Sequence, residues 1–419
     1  FKRIAMRLSC TDTSNTISVD VKNNGLWMGT NDAVWQVGSN WCGGLVPDTS
    51  TYVLVQQGQQ IMISNTYPNQ SIYAKTITLD SSANIVVKGL LHWPQALLGN
   101  GSIDATSGII YIEKDSLIIN PNVFKNKLIY TLQIDAKNKV QFLDSLIIVN
   151  SITLFNGSLQ TKHLTLLPTA QINSSGNNTA IIGPATVHKS YHLKEGQTKL
   201  LSFPFLNQPS LLDFKKSVRI TGKGGSSSGF DSAVHENASA HFLDTTTGTN
   251  AHLSFSSFTK MDSSFWEQNR AIKIWLYPND AGFINETPFI ETKKHNAWVD
   301  VSIHGIPQHG PLEINFAEQP LARYYLTGNP YPAAIDMRKI SSSTNIGKYY
   351  WYWDAGLGAT GNYTASAFRF PKIVQKLEGY IIKNNAGAAG YLFYEERTKV
   401  NHGDTPDTIS YKKEYAHIS

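Results

Sequence analysis

Cysteine is almost missing: the 419 residues hold two, Cys10 and Cys42. Their spacing fits no zinc pattern, and no histidine cluster stands beside either, so no metal site and no cofactor are expected from them. Two readings stay open for the pair: two unrelated small residues, or one disulfide pinning the N-terminal segment to the first domain. Charge is scarce as well. Asp, Glu, Lys and Arg make up 16% of the chain, against roughly 25% in an average soluble protein. Ser, Thr, Asn and Gly fill the gap, which suits an extracellular all-β protein and argues against a helix-rich enzyme. The net charge of +5 is spread along the chain, so no basic tract marks a nucleic-acid partner. No apolar run reaches the roughly 18 residues of a membrane helix, so no membrane span is expected. Residues Phe1 to Cys10 hold no apolar stretch of signal-peptide length, so the expectation is a mature or trimmed N-terminus.

What is present is aromatic and aliphatic. Trp27, Trp35 and Trp41 lie within fifteen positions, broken by Gly and Asn. Such residues suit a plug for the open end of a β-structure, because each covers a large apolar area and its indole N–H can cap a carbonyl. After Pro47 short strands recur between Asn, Gly and Ser turns, among them Tyr52–Val55, Gln60–Ile63, Asn84–Val87 and the run Leu146 to Ile172. No helical period appears, and the turns read as Asn/Gly turns rather than as Asn-Gly hairpins, so the units read as coils of a parallel β-solenoid, with a sandwich as the competing reading.

Near Thr186 to His192 the rhythm changes. Ala271–Tyr277, Trp298–Ile303 and Leu312–Phe316 alternate as half-buried strands should. The Gly222–Gly229 loop contains Lys223 but lacks the following Ser or Thr of a phosphate-binding loop, and reads as a surface loop. The expected organisation is an N-terminal extension (1–24), a Trp-capped β-solenoid (25–186), antiparallel β-sandwich-like modules (187–400) and a tail (401–419).

Several motifs then combine. The order Trp27, Trp35, Asn40-Trp41 and Gly44-Leu-Val-Pro47, then Gly328-Asn-Pro-Tyr-Pro332, Tyr349-Tyr-Trp-Tyr-Trp-Asp354 and Leu377-Glu-Gly-Tyr resembles that of secreted β-solenoid surface proteins of the Bacteroidetes. The resemblance implies export by the type IX route, a place at the cell surface or outside the cell, and a loose association with adhesion or scaffolding. It also implies O-glycosylation after Asp, for which the matching positions are Ser116, Ser145, Ser232, Thr245 and Thr408.

The chemistry-bearing residues are sparse. Acids in the solenoid region are Asp80, Asp104, Glu113, Asp115, Asp135 and Asp144. Several stand beside turns, where an Asx-turn explains them. Glycoside hydrolysis needs two facing carboxylates, and no Asp-x-Asp or Asp-Asp pair occurs in this region. In the run Tyr349 to Trp353 alternate residues face opposite sides. One side should be core. The other offers candidate glycan-contacting aromatics among Tyr350, Trp351, Tyr352 and Trp353. Gly328–Pro332 reads as a rigid turn in which Asn329 bonds backbone groups. The resulting expectation is a non-catalytic extracellular protein of adhesion or scaffolding whose partner is a glycan or another surface protein. Its alternatives are a carbohydrate-active β-helix enzyme and a self-assembling fibre subunit, the last joined by strand addition through Thr16–Val21 and Thr408–Tyr411.

Overall fold

The computed structural model describes residues 4–7, 10–13, 25–29, 32–67, 70–175, 179–193, 197–207, 210–231, 237–244, 254–261, 269–277, 297–358 and 361–400. It is all-β, 52% strand and 7% helix, with a β-solenoid of about seven turns and antiparallel sheets elsewhere. The chain forms two compact units, Phe1–Gly108 and Ile109–Ser419.

In the first unit, short strands stack in parallel. Tyr52–Val55 pairs with Thr76–Leu79, which pairs with Ala96–Gly99; Gln60–Ile63 pairs with Asn84–Val87. Each strand is short because only two side chains per coil edge can point inward before the chain must turn. Those side chains form ladders: Val53 lies beside Ile77, and Ile61 beside Ile85, all at most 2% exposed. Burying each such aliphatic is worth roughly 1.5–3 kcal/mol. The tryptophans close the open end. Trp27, Trp35 and Trp41 are at most 3% exposed, and Trp41 meets both others edge-on with centroids 4.9 and 4.8 Å away. The Trp41 indole donates to the Trp35 carbonyl at 2.7 Å. Backbone bonds from Trp27 to Leu54 and from Trp35 to Met62 seat this plug on the first coil.

In the second unit the ladder is longer. Ile129, Ile148, Leu166 and Val187 stand in successive parallel strands, as do Leu132, Ile152 and Ile172, and all are fully buried. Gly157 makes one corner: its φ is +70°, and a Cβ there would lie 2.2 Å from the Ala136 oxygen. The stack ends where Ala185–Leu193 pairs antiparallel with Ala297–Gly305. Antiparallel sheets follow. One joins Gln197–Leu201, Ile272–Leu276, Ala240–Leu243 and Phe255–Ser257; a second joins Arg323–Gly328, Gly379–Asn384, Ile346–Asp354 and Asn362–Ala367; a third joins Leu312–Phe316, Gly390–Tyr394 and Ser341–Ser342.

The second of these sheets is a middle layer. Tyr325, Tyr350, Tyr380 and Ile382 face a core completed by Ile314, Phe316, Leu392 and Tyr394 from the third sheet. Leu326, Trp351, Trp353 and Ile381 face the other way, against Leu200, Ala271, Leu243 and Phe255. Gly379 permits this second contact, since a Cβ there would lie 2.7 Å from the Ala271 Cβ.

The N-terminal backbone at Ile4–Arg7 pairs antiparallel with Cys10–Thr13, placing Cys10 opposite Arg7. Cys42 is a free thiol, so the Cys10–Cys42 disulfide is not formed. The strand that carries Cys10 spends its described backbone pairing on its own hairpin, and nothing in that register draws it to Cys42. The Cys10 side chain itself is outside the described residues.

Candidate functional site

The middle layer corrects the expectation of an aromatic strip. The strand lies between two cores, so much of each face is covered. Tyr350 is fully buried, with Tyr380 5.7 Å away, and Trp351 packs edge-on to Tyr324 at 5.4 Å. Tyr350 is therefore closed to a sugar, while Trp351 is partly buried against the second core. Tyr352 and Trp353, near the end of the strand, instead reach the wall of a cleft. Tyr349 is the run's exposed member, half in solvent.

Turns from the last modules build the ground beside that cleft. Asn329 is fully buried: its amide donates to the Ala333 oxygen at 2.6 Å and the Val374 oxygen at 3.2 Å, and its oxygen accepts from the Tyr331 N–H at 2.9 Å. The Tyr331 hydroxyl donates to Gly310 O at 2.6 Å. Gly328–Pro332 is thus the rigid turn its prolines suggest, and its Pro332 carbonyl accepts from Ile172 N of the solenoid at 3.1 Å.

A second link to the solenoid is ionic. Lys189, on the strand Ala185–Leu193, donates to Glu378 Oε1 at 2.7 Å and to Lys376 O at 3.2 Å. Lys376, 5% exposed, donates to the carbonyls of Leu167 and Ala170. Burial, with Lys189 nearby, pushes the Lys376 amine down to about 7. Between Lys376 and Glu378 sits Leu377 at φ +61°. That left-handed conformation costs a leucine roughly 1–2 kcal/mol, and it lies between the two residues that grip the solenoid.

The cleft has a volume of about 270 Å³ and is lined by Tyr191, Lys199, Tyr352, Trp353 and Lys372, with Asp354 and Glu378 as its carboxylates. Lys372 Nζ stands 4.0 Å above the Tyr352 ring, and Lys189 and Lys199 lie 5.0 and 5.3 Å from the Tyr191 ring centre. Burial lowers the Lys199 amine, an effect Glu378 opposes. Burial alone would raise the Glu378 carboxyl, but the charge and hydrogen bond of Lys189 outweigh it and hold Glu378 below the usual range. Both oxygens of Glu378 are engaged, one by Lys189 and one by Gln375 N at 2.9 Å. The Tyr191 hydroxyl is buried without a hydrogen-bond partner among the described residues, and burial raises its pKa strongly, so it stays protonated.

Four of the six solenoid acids have structural duties. Asp104 accepts from Thr106, Asp135 from Tyr111 and Asn156, Asp115 from Lys137 N, and Asp144 pairs with Lys127. Of the O-glycosylation positions, Ser116 is exposed at a turn with φ +54° and Ser145 is half-buried; Ser232, Thr245 and Thr408 lie outside the described residues, as do Thr16–Val21 and Thr408–Tyr411. Gly225-Ser-Ser-Ser-Gly229 spells Gly-x-Ser-x-Gly, yet it folds as a short 3-10 turn between left-handed Gly224 and Gly229. The strand-to-helix bend of a nucleophile elbow is missing there. Among the described residues no three His, Cys, Asp or Glu side chains cluster as a metal site would need, and no helix is long and apolar enough to cross a membrane.

Sequence reasoning missed Lys189, Lys199, Lys376 and Glu378. The one local signal was the Lys376-Leu-Glu378 triplet inside the recognisable Leu377-Glu-Gly-Tyr motif. Comparison of the chain with protein-family models, with curated proteins and with solved structures gave no match.

Proposed function

We propose that this chain is a non-catalytic surface-contact protein, extracellular or at the cell surface, acting in adhesion or scaffolding, and that it contacts glycan at the Tyr352–Trp353 cleft. The observation that carries the reading is the state of Glu378. A glycosidase needs one carboxyl raised in pKa to act as acid beside a second carboxylate. Glu378 is held ionised and has both oxygens occupied by protein donors. Its role is to anchor Lys189, not to deliver a proton. Aromatic walls with lysines laid on them suit recognition of a ring bearing polar groups. The stacked solenoid supplies a long, stable support for such contacts.

A second reading has a specific observation behind it. Asp354 and Glu378 line one cleft with Lys199, whose amine is lowered by burial. A carbohydrate-active enzyme, hydrolase or lyase, would need such a set. The test is a polysaccharide panel scored for binding, for reducing ends and for unsaturated products. Binding without turnover supports the contact reading. Turnover lost in Asp354→Asn or Lys199→Met overturns it for the enzyme.

A further inference from the structure

We infer that the Tyr352–Trp353 cleft takes an acidic sugar, its anionic group set between Lys199 and Lys372. The inference rests on the glycan-contact reading and specifies the ligand class. Lys189 neutralises Glu378 by direct pairing at 2.7 Å. What remains on the lining is two lysines against the single carboxylate of Asp354, part of whose hydrogen-bonding capacity is taken by Gly356 N at 2.9 Å. Among the described residues neither Lys199 nor Lys372 has a carboxylate within salt-bridge distance; each lies over an aromatic ring instead. Burial lowers the Lys199 amine and Glu378 offsets this only in part, so an anion entering the cleft restores what burial removed there.

The second, independent observation is Tyr191. It is 9% exposed, lines the cleft, and its hydroxyl has no hydrogen-bond partner among the described residues. Buried hydroxyls are ordinarily satisfied, so this one is a donor waiting for an acceptor. A carboxylate or sulfate offers acceptor oxygens to it and to both lysines, whereas a neutral hydroxymethyl group at the same ring position offers one oxygen and no charge. The volume of about 270 Å³ lies just under the roughly 300 Å³ lower end of small-molecule sites, which suits one sugar ring rather than a long oligosaccharide held along a groove.

The experiment uses the full chain and three probes in titration calorimetry: digalacturonate, its carboxyl-reduced neutral counterpart, and galactose 6-sulfate. Digalacturonate is expected to bind at least about tenfold more tightly than the neutral disaccharide, with a preference that shrinks as salt rises. Lys199→Met with Lys372→Met should abolish that preference, while Lys199→Arg should keep it and so exclude a mere folding effect. Tyr191→Phe, which removes only the unpartnered oxygen, should weaken digalacturonate several-fold and leave the neutral probe unchanged. Binding of the sulfated probe at similar strength supports recognition of charge, and its rejection supports recognition of the carboxylate. Equal affinity for acidic and neutral probes overturns the acidic specificity and leaves glycan contact standing. Absence of binding to any probe overturns both.

Discussion

Lys376 is the most demanding residue of the junction between the solenoid and the sheets, and its replacement by methionine has a definite pH signature. The unfolded chain holds this amine at the ordinary 10.5, and the fold pushes it down to about 7. Between those limits the unfolded state binds a proton that the folded state does not, so stability rises with pH. Below pH 7 both states are protonated and the cost of the buried charge is felt in full. At about 1.36 kcal/mol per pH unit the fall amounts to up to about 5 kcal/mol. The carbonyls of Leu167 and Ala170 accept from the amine and favour its charged form, which reduces the effect to about 2–4 kcal/mol. Thermal unfolding of the wild type, followed by circular dichroism from pH 6 to 9.5, should show a melting temperature that climbs by several degrees above pH 7. Lys376→Met should flatten that climb. Its absolute stability at pH 6 is the poorer readout, since the lost charge penalty competes with loss of the Lys376 donor at the Ala170 carbonyl, while the Leu167 carbonyl keeps its bond from Ala170 N at 2.8 Å. Tyrosines whose pKa is raised act in the opposite direction and only above about pH 10, outside the window. Parallel curves for the two proteins would refute the reasoning.

Other outcomes follow from the solenoid and its plug. Trp41→Ala removes two edge-on ring contacts and the bond to the Trp35 carbonyl, and should cost about 3–5 kcal/mol, read as early denaturant unfolding. Gly157→Ala places a Cβ 2.2 Å from a carbonyl oxygen and should cost about 2 kcal/mol or more. Gly58→Ala, at a similar φ of +74° but with nothing within 4 Å, should cost only about 1 kcal/mol in the same melt. Thiol titration of the denatured, unreduced chain should find two reactive groups, matching the free Cys42; a count of zero would restore the disulfide.

The parts legible in the sequence were those set by local repetition. A coil of the solenoid must send two neighbouring aliphatics inward and then turn, so Tyr52–Val55 and Gln60–Ile63 announce themselves without knowledge of their partners. The tryptophan plug was legible because three large rings in a Gly- and Asn-broken segment have few other uses. Asn329 was legible because the two prolines beside it leave its side chain as the one able to satisfy the turn. The aromatic run was misjudged at Tyr350 for a physical reason. Alternation gives the two faces of a strand but not how many layers cover it, and the covering Ile314 and Leu392 come from other strands of the chain. The cleft was illegible for a related reason. Lys189 and Glu378 lie 189 positions apart, and a single lysine in a strand carries the same pattern whether it meets water or a buried carboxylate.

The placement of that ion pair also bears on what the cleft is suited to do. Lys189 fixes Glu378 from the solenoid side, while Leu377 holds a left-handed backbone so that Lys376 and Glu378 can both engage the solenoid. Strain of this kind persists only where surrounding contacts over-determine it. A carboxylate so pinned cannot easily exchange a proton with a ligand, because losing its charge would strand Lys189 at a side chain only 12% exposed. Proton transfer and structural anchoring therefore compete for the same group, and here the anchoring has the stronger hold. Lys199 and Lys372 are under no such obligation: among the described residues neither is held in an ion pair, and each lies over an aromatic ring, Tyr191 and Tyr352. Their charge is available to a ligand without loosening the junction, and this separation of anchoring from contacting groups favours a cleft that holds an anion over one that cuts a bond.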